Sequence, residues 1–144
     1  MKTYILYAAL VAAIAGGVWL SRRPAPATEA EAATPAQGDA LVAISLPETL
    51  SAQAVMGKRA FESTCITCHG KNATGKAGFG PPLVHKIYEP SHHGDMAFLA
   101  AVQAGVRAHH WRFGNMPPQE GLTRADTANI VTYVRELQRA NGIN

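Results

Sequence analysis

Apolar and polar positions divide the 144-residue chain into three unequal parts. Thr3 to Ser21 carries no charge, and from Ile5 to Leu20 only Tyr7, Gly16 and Gly17 interrupt a run of apolar side chains. A helix of nineteen residues reaches about 29 Å, close to the ~30 Å hydrocarbon core of a bilayer. From Pro24 to about Asp39 the pattern dissolves into Pro, Ala, Thr, Glu and Gln, with almost no large apolar residue. From Leu41 onward a helical rhythm returns. Ser51 is placed to cap a helix through Ala54, Val55, Gly57, Ala60 and Phe61 to about Thr64. Gly94 or Asp95 opens a second, with Phe98, Leu99, Val102 and Val106 along one side and Gly105 near its end. The third has the plainest signature. Thr123 and Asp126 are spaced as a capping box, Ile130, Val131, Tyr133, Val134 and Leu137 repeat with helical period, and Gly142 closes the run. No segment sustains alternation of period two, so strands are not expected.

The N-terminal apolar run has two readings, and both export the rest of the chain. Lys2 and Ala25-Pro26-Ala27 suit a cleavable signal peptide. The run, however, exceeds the usual h-region of about 7–15 residues, and Arg22 and Arg23 sit awkwardly before a cleavage site. Tyr4, Tyr7 and Trp19 lie where interfacial aromatics belong. Residues 1–22 are therefore expected to be a membrane anchor or signal segment, contacting the bilayer through residues 4–20, with the uncleaved anchor preferred. Residues 23–40 read as a Pro/Ala-rich linker, which cannot bury enough apolar surface to offset its ordering entropy. Residues 41–144 form the folded domain.

Charge narrows the partners. Ten Lys/Arg against seven Asp/Glu fall within 41–144, too slight an excess for continuous phosphate neutralisation, so nucleic acid is not an expected partner. Modest steering toward an acidic protein is compatible with it. Lys71, Lys76 and Lys86 are candidates for such a docking surface, or are scattered surface lysines.

The chain's two cysteines stand in Cys65-Ile66-Thr67-Cys68-His69, the C-x-x-C-H sequence of c-type haem attachment. Two intervening residues let both sulfurs reach the vinyl groups on one edge of a porphyrin. The next residue then brings imidazole beneath the ring to bind iron. A zinc ribbon wants a second cysteine pair, and none exists. A thioredoxin-type dithiol wants a βαβ context, and the surroundings are helical. Long Gly-, Pro-, Asn- and His-rich stretches between three short helices also ask for an organising ligand. Met116, in Gly114-Asn115-Met116-Pro117-Pro118, is the candidate sixth ligand, because the two prolines make an extended, stiff strap. Met56 and Met96 read as core filler. His/Met ligation would saturate the iron and raise its potential relative to two nitrogen ligands.

With these residues in place, the chain from about Ser51 to Ile143 resembles a class I cytochrome c. Gly57 and Phe61 precede Cys65 at that family's spacing, and Gly80-Pro81-Pro82-Leu83 is similar to its Gly-Pro-x-Leu segment. The resemblance implies a small all-α domain of about four helices around one covalent haem c. It implies close crossing of the first and last helices at Gly57, with Ile130 and Tyr133 at the crossing. It also implies a hydrogen bond from His69 to the Pro81 carbonyl, and Leu83 packed on the haem. The function implied is one-electron transfer rather than catalysis. The expected partners are redox proteins such as a respiratory oxidase, reductase or dehydrogenase, and the expected location is the periplasmic face of a bacterial inner membrane.

The segment from Val84 to Phe113 has no counterpart in that resemblance. It holds His85, His92, His93, His109 and His110. Three readings stand: surface or propionate-side groups of a long loop, a copper-handling or sensing site using loop 85–110, or His109 or His110 replacing Met116 on iron. Trp111, Arg107 and Arg112 are candidates to meet haem propionates.

Overall fold

A computed structural model describes residues 34–144. The expected anchor at 1–22 lies outside the described residues, as does most of the linker. Among the described residues no helix is long and apolar enough to cross a membrane. Pro35–Asn144 forms one compact unit. Residues 35–40, expected as the end of the linker, pair with it instead. Gly38 N–H donates to the Ala77 carbonyl and Ala77 N–H to that of Asp39, at 2.9 and 2.8 Å. They join through backbone hydrogen bonds, which leave no trace in a hydrophobic pattern.

Among the described residues four helices carry the fold: α1 (Ala52–Thr64), α2 (Ile66–His69), α3 (Asp95–Ala104) and α4 (Arg124–Ala140). No strand forms among the described residues, only the isolated bridges Lys76–Gly80 and Val106–Met116. The expected caps are present. Ser51 Oγ accepts from Ala54 N–H at 3.1 Å, filling one of the donors that a helix start leaves free. Thr123 and Asp126 exchange both bonds of the capping box. Gly94 stands before α3 and Gly105 after it.

The core lies where α1 crosses α4. Phe61, Ile130, Tyr133, Val134 and Leu137 are buried there with Leu83 and Val84, and the Phe61 and Tyr133 rings meet edge-on at 5.7 Å. Gly57 permits the approach. A Cβ on it would stand 1.8 Å from the Asn129 carbonyl oxygen and 2.9 Å from Ile130 N, so no larger residue fits without parting the helices. Met56 and Met96, expected as core filler, are instead 52% and 68% exposed. Met56 projects from the side of α1 opposite Ala54, Gly57 and Phe61 (the buried face). Met96 lies in the first turn of α3, whose one fully buried residue is Val102.

The buried face of α4 also carries three polar side chains, Thr127, Arg135 and Gln138, of which the last two bind across to another segment. Arg135 Nη1–H donates to the Tyr88 carbonyl and to Gln138 Oε1, and Nη2–H to the His93 carbonyl, each at 2.6 Å. Gln138 Nε2–H donates to the carbonyls of Leu83 and Tyr88 at 2.8 and 3.0 Å. A guanidinium offers five donors in a rigid fork, and here it ties the irregular 83–93 segment to α4. The sequence reading missed this pair, although an Arg and a Gln three apart inside an apolar helical stripe are themselves a signal.

Candidate haem-attachment site

The attachment segment is short and tightly wound. Cys65 caps both α1 and α2: its N–H donates to Phe61 O, and its carbonyl accepts from Cys68 and His69 N–H at 3.2 and 2.9 Å. One helical turn thus fixes both sulfurs and the imidazole relative to one another. Both cysteines are free thiols, Cys65 half-buried and Cys68 exposed. Burial, with Cys68 nearby, pushes the Cys65 thiol up to about 11. A catalytic dithiol needs the opposite shift, toward thiolate at neutral pH, so the electrostatics argue against redox exchange at this pair.

His69 is oriented in the way a ligating imidazole needs. Its Nδ1 lies 2.9 Å from the Pro81 carbonyl oxygen. A carbonyl only accepts, so Nδ1 carries the proton and Nε2 keeps its lone pair, the orientation that ligating imidazoles need. Burial lowers the His69 pKa, and the Pro81 bond partly opposes it; the net effect favours the neutral, metal-binding form. Leu83 and Val84 are placed by their N–H groups, both donating to the Ala73 carbonyl at 2.8 and 3.3 Å. The backbone that presents this carbonyl is left-handed at Asn72 and Ala73, with φ of 54° and 58°. Asn tolerates that region, whereas Ala incurs a cost of roughly 1–2 kcal/mol. Tyr133 Oη–H donates to Asn72 Oδ1 at 3.2 Å and helps hold the turn.

Met116 comes from a separate arm. Val106 and Met116 exchange backbone hydrogen bonds at 2.9 and 3.0 Å, and Gln119 N–H donates to Val102 O at 2.8 Å. The strap therefore crosses the end of α3 at Gly105. There φ is +75°, and a Cβ would stand 2.6 Å from the Met116 carbonyl oxygen. Among the described residues no backbone hydrogen bond joins the strap directly to Cys65–His69.

The propionate candidates separate. Arg107 and Arg112 are exposed, whereas Trp111 Nε1 is buried with no hydrogen-bond partner among the described residues. The indole lies near enough to the Tyr88 phenol to offset part of the upward push that burial gives its pKa, yet nothing meets the Nε1–H at hydrogen-bond geometry. A buried orphan donor is costly, and an acidic cofactor group is the kind of acceptor that would satisfy it. Free thiols on one turn, an imidazole with an oriented lone pair, apolar Leu83 and Val84, and an unpartnered indole N–H all fit a covalent haem.

A family model for cytochrome c matches residues 54–138. The chain belongs to the cytochrome c family. Its matched span runs from the first buried residue of α1 to Gln138 of α4, so it takes in the attachment turn, the Met116 strap and the helix crossing. As a cytochrome c the domain carries covalently bound haem c and belongs to a class of haem-based electron carriers. No solved structure matches the chain.

Of the five histidines in the segment that the resemblance leaves unaligned, four gather in this cytochrome c and one does not. The His92 and His110 rings are 5.3 Å apart, His93 and His110 5.1 Å, and His109 and His110 4.2 Å. His85 instead caps the 3-10 turn Lys86–Tyr88, its Nδ1 accepting from Ile87 N–H at 3.2 Å, with its ring against Trp111. Desolvation, then the charges that His109, His93 and His92 would carry, lower the His110 pKa.

Proposed function

We propose that this cytochrome c is a one-electron carrier whose haem is attached through Cys65 and Cys68 and whose iron is held between His69 and Met116. Bound there, the haem supplies reversible one-electron chemistry between ferric and ferrous iron. The protein's part is to keep both ligands in place. The observation that carries the reading is the 2.9 Å contact between His69 Nδ1 and the Pro81 carbonyl, which fixes the tautomer with Nε2 free. Met116 is supported by its strap, whose pairing with Val106 and two following prolines leave the backbone that presents the thioether little freedom. A filled coordination shell leaves no vacancy for oxygen or peroxide, which favours a carrier over a catalyst.

Docking follows from the surface near the attachment turn. Cys68 is exposed, Lys76 Nζ–H donates to the Thr67 carbonyl at 3.3 Å, and the same ammonium lies 4.4 Å from the centre of the exposed Phe79 ring. A cation and an aromatic beside the attachment turn suit an acidic redox protein with an apolar centre to its interface. The reading further holds that residues 1–22 anchor the chain to a bacterial inner membrane. Residues 23–34 are then a tether for a periplasmic domain, which passes electrons to or from a respiratory oxidase, reductase or dehydrogenase.

Redox titration of the purified holoprotein, with carbon monoxide added to the ferrous form, tests this. A single reversible one-electron transition and a Soret band unmoved by the gas are expected. Immediate gas binding would mean an open iron and would overturn the carrier assignment.

A further inference from the structure

Two His-His dipeptides, His92-His93 and His109-His110, come from loops on either side of α3 and meet at the surface. One ring nitrogen each from His92, His93 and His110 lies within 4.8 Å of the other two. His92 Nε2 and His110 Nε2 stand 3.4 Å apart. Two nitrogens bound to one ion at about 2.0–2.1 Å are themselves about 2.9 Å apart in a square-planar set and about 3.3–3.4 Å in a tetrahedral one, so this pair already lies within about half an ångström of either span. The remaining nitrogen needs only a ring adjustment to close on the same point. We propose that His92, His93 and His110 bind one divalent transition-metal ion, with Cu²⁺ as the preferred occupant.

The arrangement is built rather than accidental. His93 Nδ1–H donates to the Ile87 carbonyl at 2.7 Å, which directs its Nε2 lone pair outward as an outer-shell carbonyl does for a ligating imidazole. The His93 ring packs on Tyr88 at 5.2 Å. The same loop is fastened from below by buried Arg135, through the carbonyls of Tyr88 and His93. His92 and His93 N–H both donate to the Glu89 carbonyl, at 3.0 and 2.8 Å. On the other side, Ala108 N–H donates to Asn115 Oδ1 at 2.9 Å, and the loop closes at the Val106–Met116 pair. His109 flanks the cluster with its Nδ1–H on the Arg107 carbonyl at 2.9 Å.

The donor set chooses the class of ion. Asp95, the nearest carboxylate in sequence, is turned to Arg135 at 2.9 Å, and both cysteines belong to the haem turn. An all-imidazole site does not suit Ca²⁺ or Mg²⁺, which take oxygen ligands. It suits copper or zinc, and copper binds the more tightly at a given nitrogen site. His92 and His110 are exposed and His93 half-buried, so a bound ion keeps a face open to exchange.

The test uses the full-length holoprotein, stripped with chelator and titrated with cupric sulfate, and separately with zinc sulfate, by calorimetry and native mass spectrometry. One equivalent of Cu²⁺ is expected, held more tightly than Zn²⁺. The double variant H92Q/H110Q should weaken Cu²⁺ binding by more than about 100-fold, beyond the 10–100-fold that an outer-shell partner contributes. Its haem spectrum should stay unchanged, because both side chains are exposed. His85→Gln should bind copper as the wild type does. No stoichiometric Cu²⁺ binding, equal binding by the double variant, or loss on changing His85 alone would each overturn the site.

Discussion

Gly57→Ala separates local helix preference from the packing of the fold, because the two predict opposite signs. Gly57 lies inside α1, and in an isolated helix its replacement by Ala is worth about 0.8–1.0 kcal/mol of stabilisation. Here the new methyl would lie 1.8 Å from the Asn129 carbonyl oxygen and 2.3 Å from its carbon. Both are backbone atoms of α4, so no side-chain rotation relieves the overlap. Restoring ordinary contact means moving α1 off α4 by about 1.5 Å, which loosens Phe61 against Tyr133, Ile130 and Val134. Overpacking of a core costs about 1–3 kcal/mol and occasionally more. This site should lie at the upper end, giving a net loss of about 2 kcal/mol after the helix preference is allowed for. For a domain of this size that lowers Tm by roughly 8–16 °C. Guanidinium unfolding of the holoprotein, followed by circular dichroism and by the Soret band, measures the change. A variant as stable as wild type, or more stable, would refute the close crossing.

Other consequences rest on single side chains. Arg135→Met removes the donors to Tyr88 O, His93 O and Gln138 Oε1 together. Its ion pair with Asp95, 69% exposed, contributes little; Tyr88 O keeps its bond from Gln138, so the His93 carbonyl and Gln138 Oε1 dominate, at about 1–3 kcal/mol for each left unsatisfied. A loss of about 3 kcal/mol in denaturant unfolding is expected, with faster hydrogen exchange in 85–95. Arg135→Lys should not restore stability, since an ammonium cannot reproduce the fork; full rescue would contradict the network. At α4, bonds from the Thr123 side chain and backbone hold the Asp126 carboxyl below its ordinary 3.8. A folded-state pKa below the unfolded one means that the unfolded chain binds more protons, so the contribution is complete above pH 3.8 and disappears as pH falls through the folded value. The Tm gap between wild type and Asp126→Asn should therefore be widest near neutrality and close below pH 3.8; a gap constant with pH would contradict the capping box.

The helices were legible because their signals are local: Ser51 with Ala54, Thr123 with Asp126, and the apolar stripe from Ile130 to Leu137. The attachment turn was legible for the same reason, since Cys65, Cys68 and His69 carry their geometry in their spacing. What escaped is long-range or backbone-mediated. Arg135 and Gln138 look like interruptions of an apolar face until the carbonyls of Leu83, Tyr88 and His93 arrive from a segment more than 40 residues away. Residues 35–40 have no hydrophobic pattern and join the fold through Ala77. Met56 and Met96 show the converse, an apolar residue type that does not mark a buried position. The histidines were visible as a list, but only the meeting of two loops shows that His92, His93 and His110 form a set and that His85 stands apart.

The far-red absorption of the oxidised holoprotein bears most directly on the iron ligands. A sulfur-to-iron band should be present in the wild type and absent in Met116→Leu, with the covalent haem retained in both. A wild-type spectrum without that band, unchanged by the Met116 substitution, would contradict the His69/Met116 carrier.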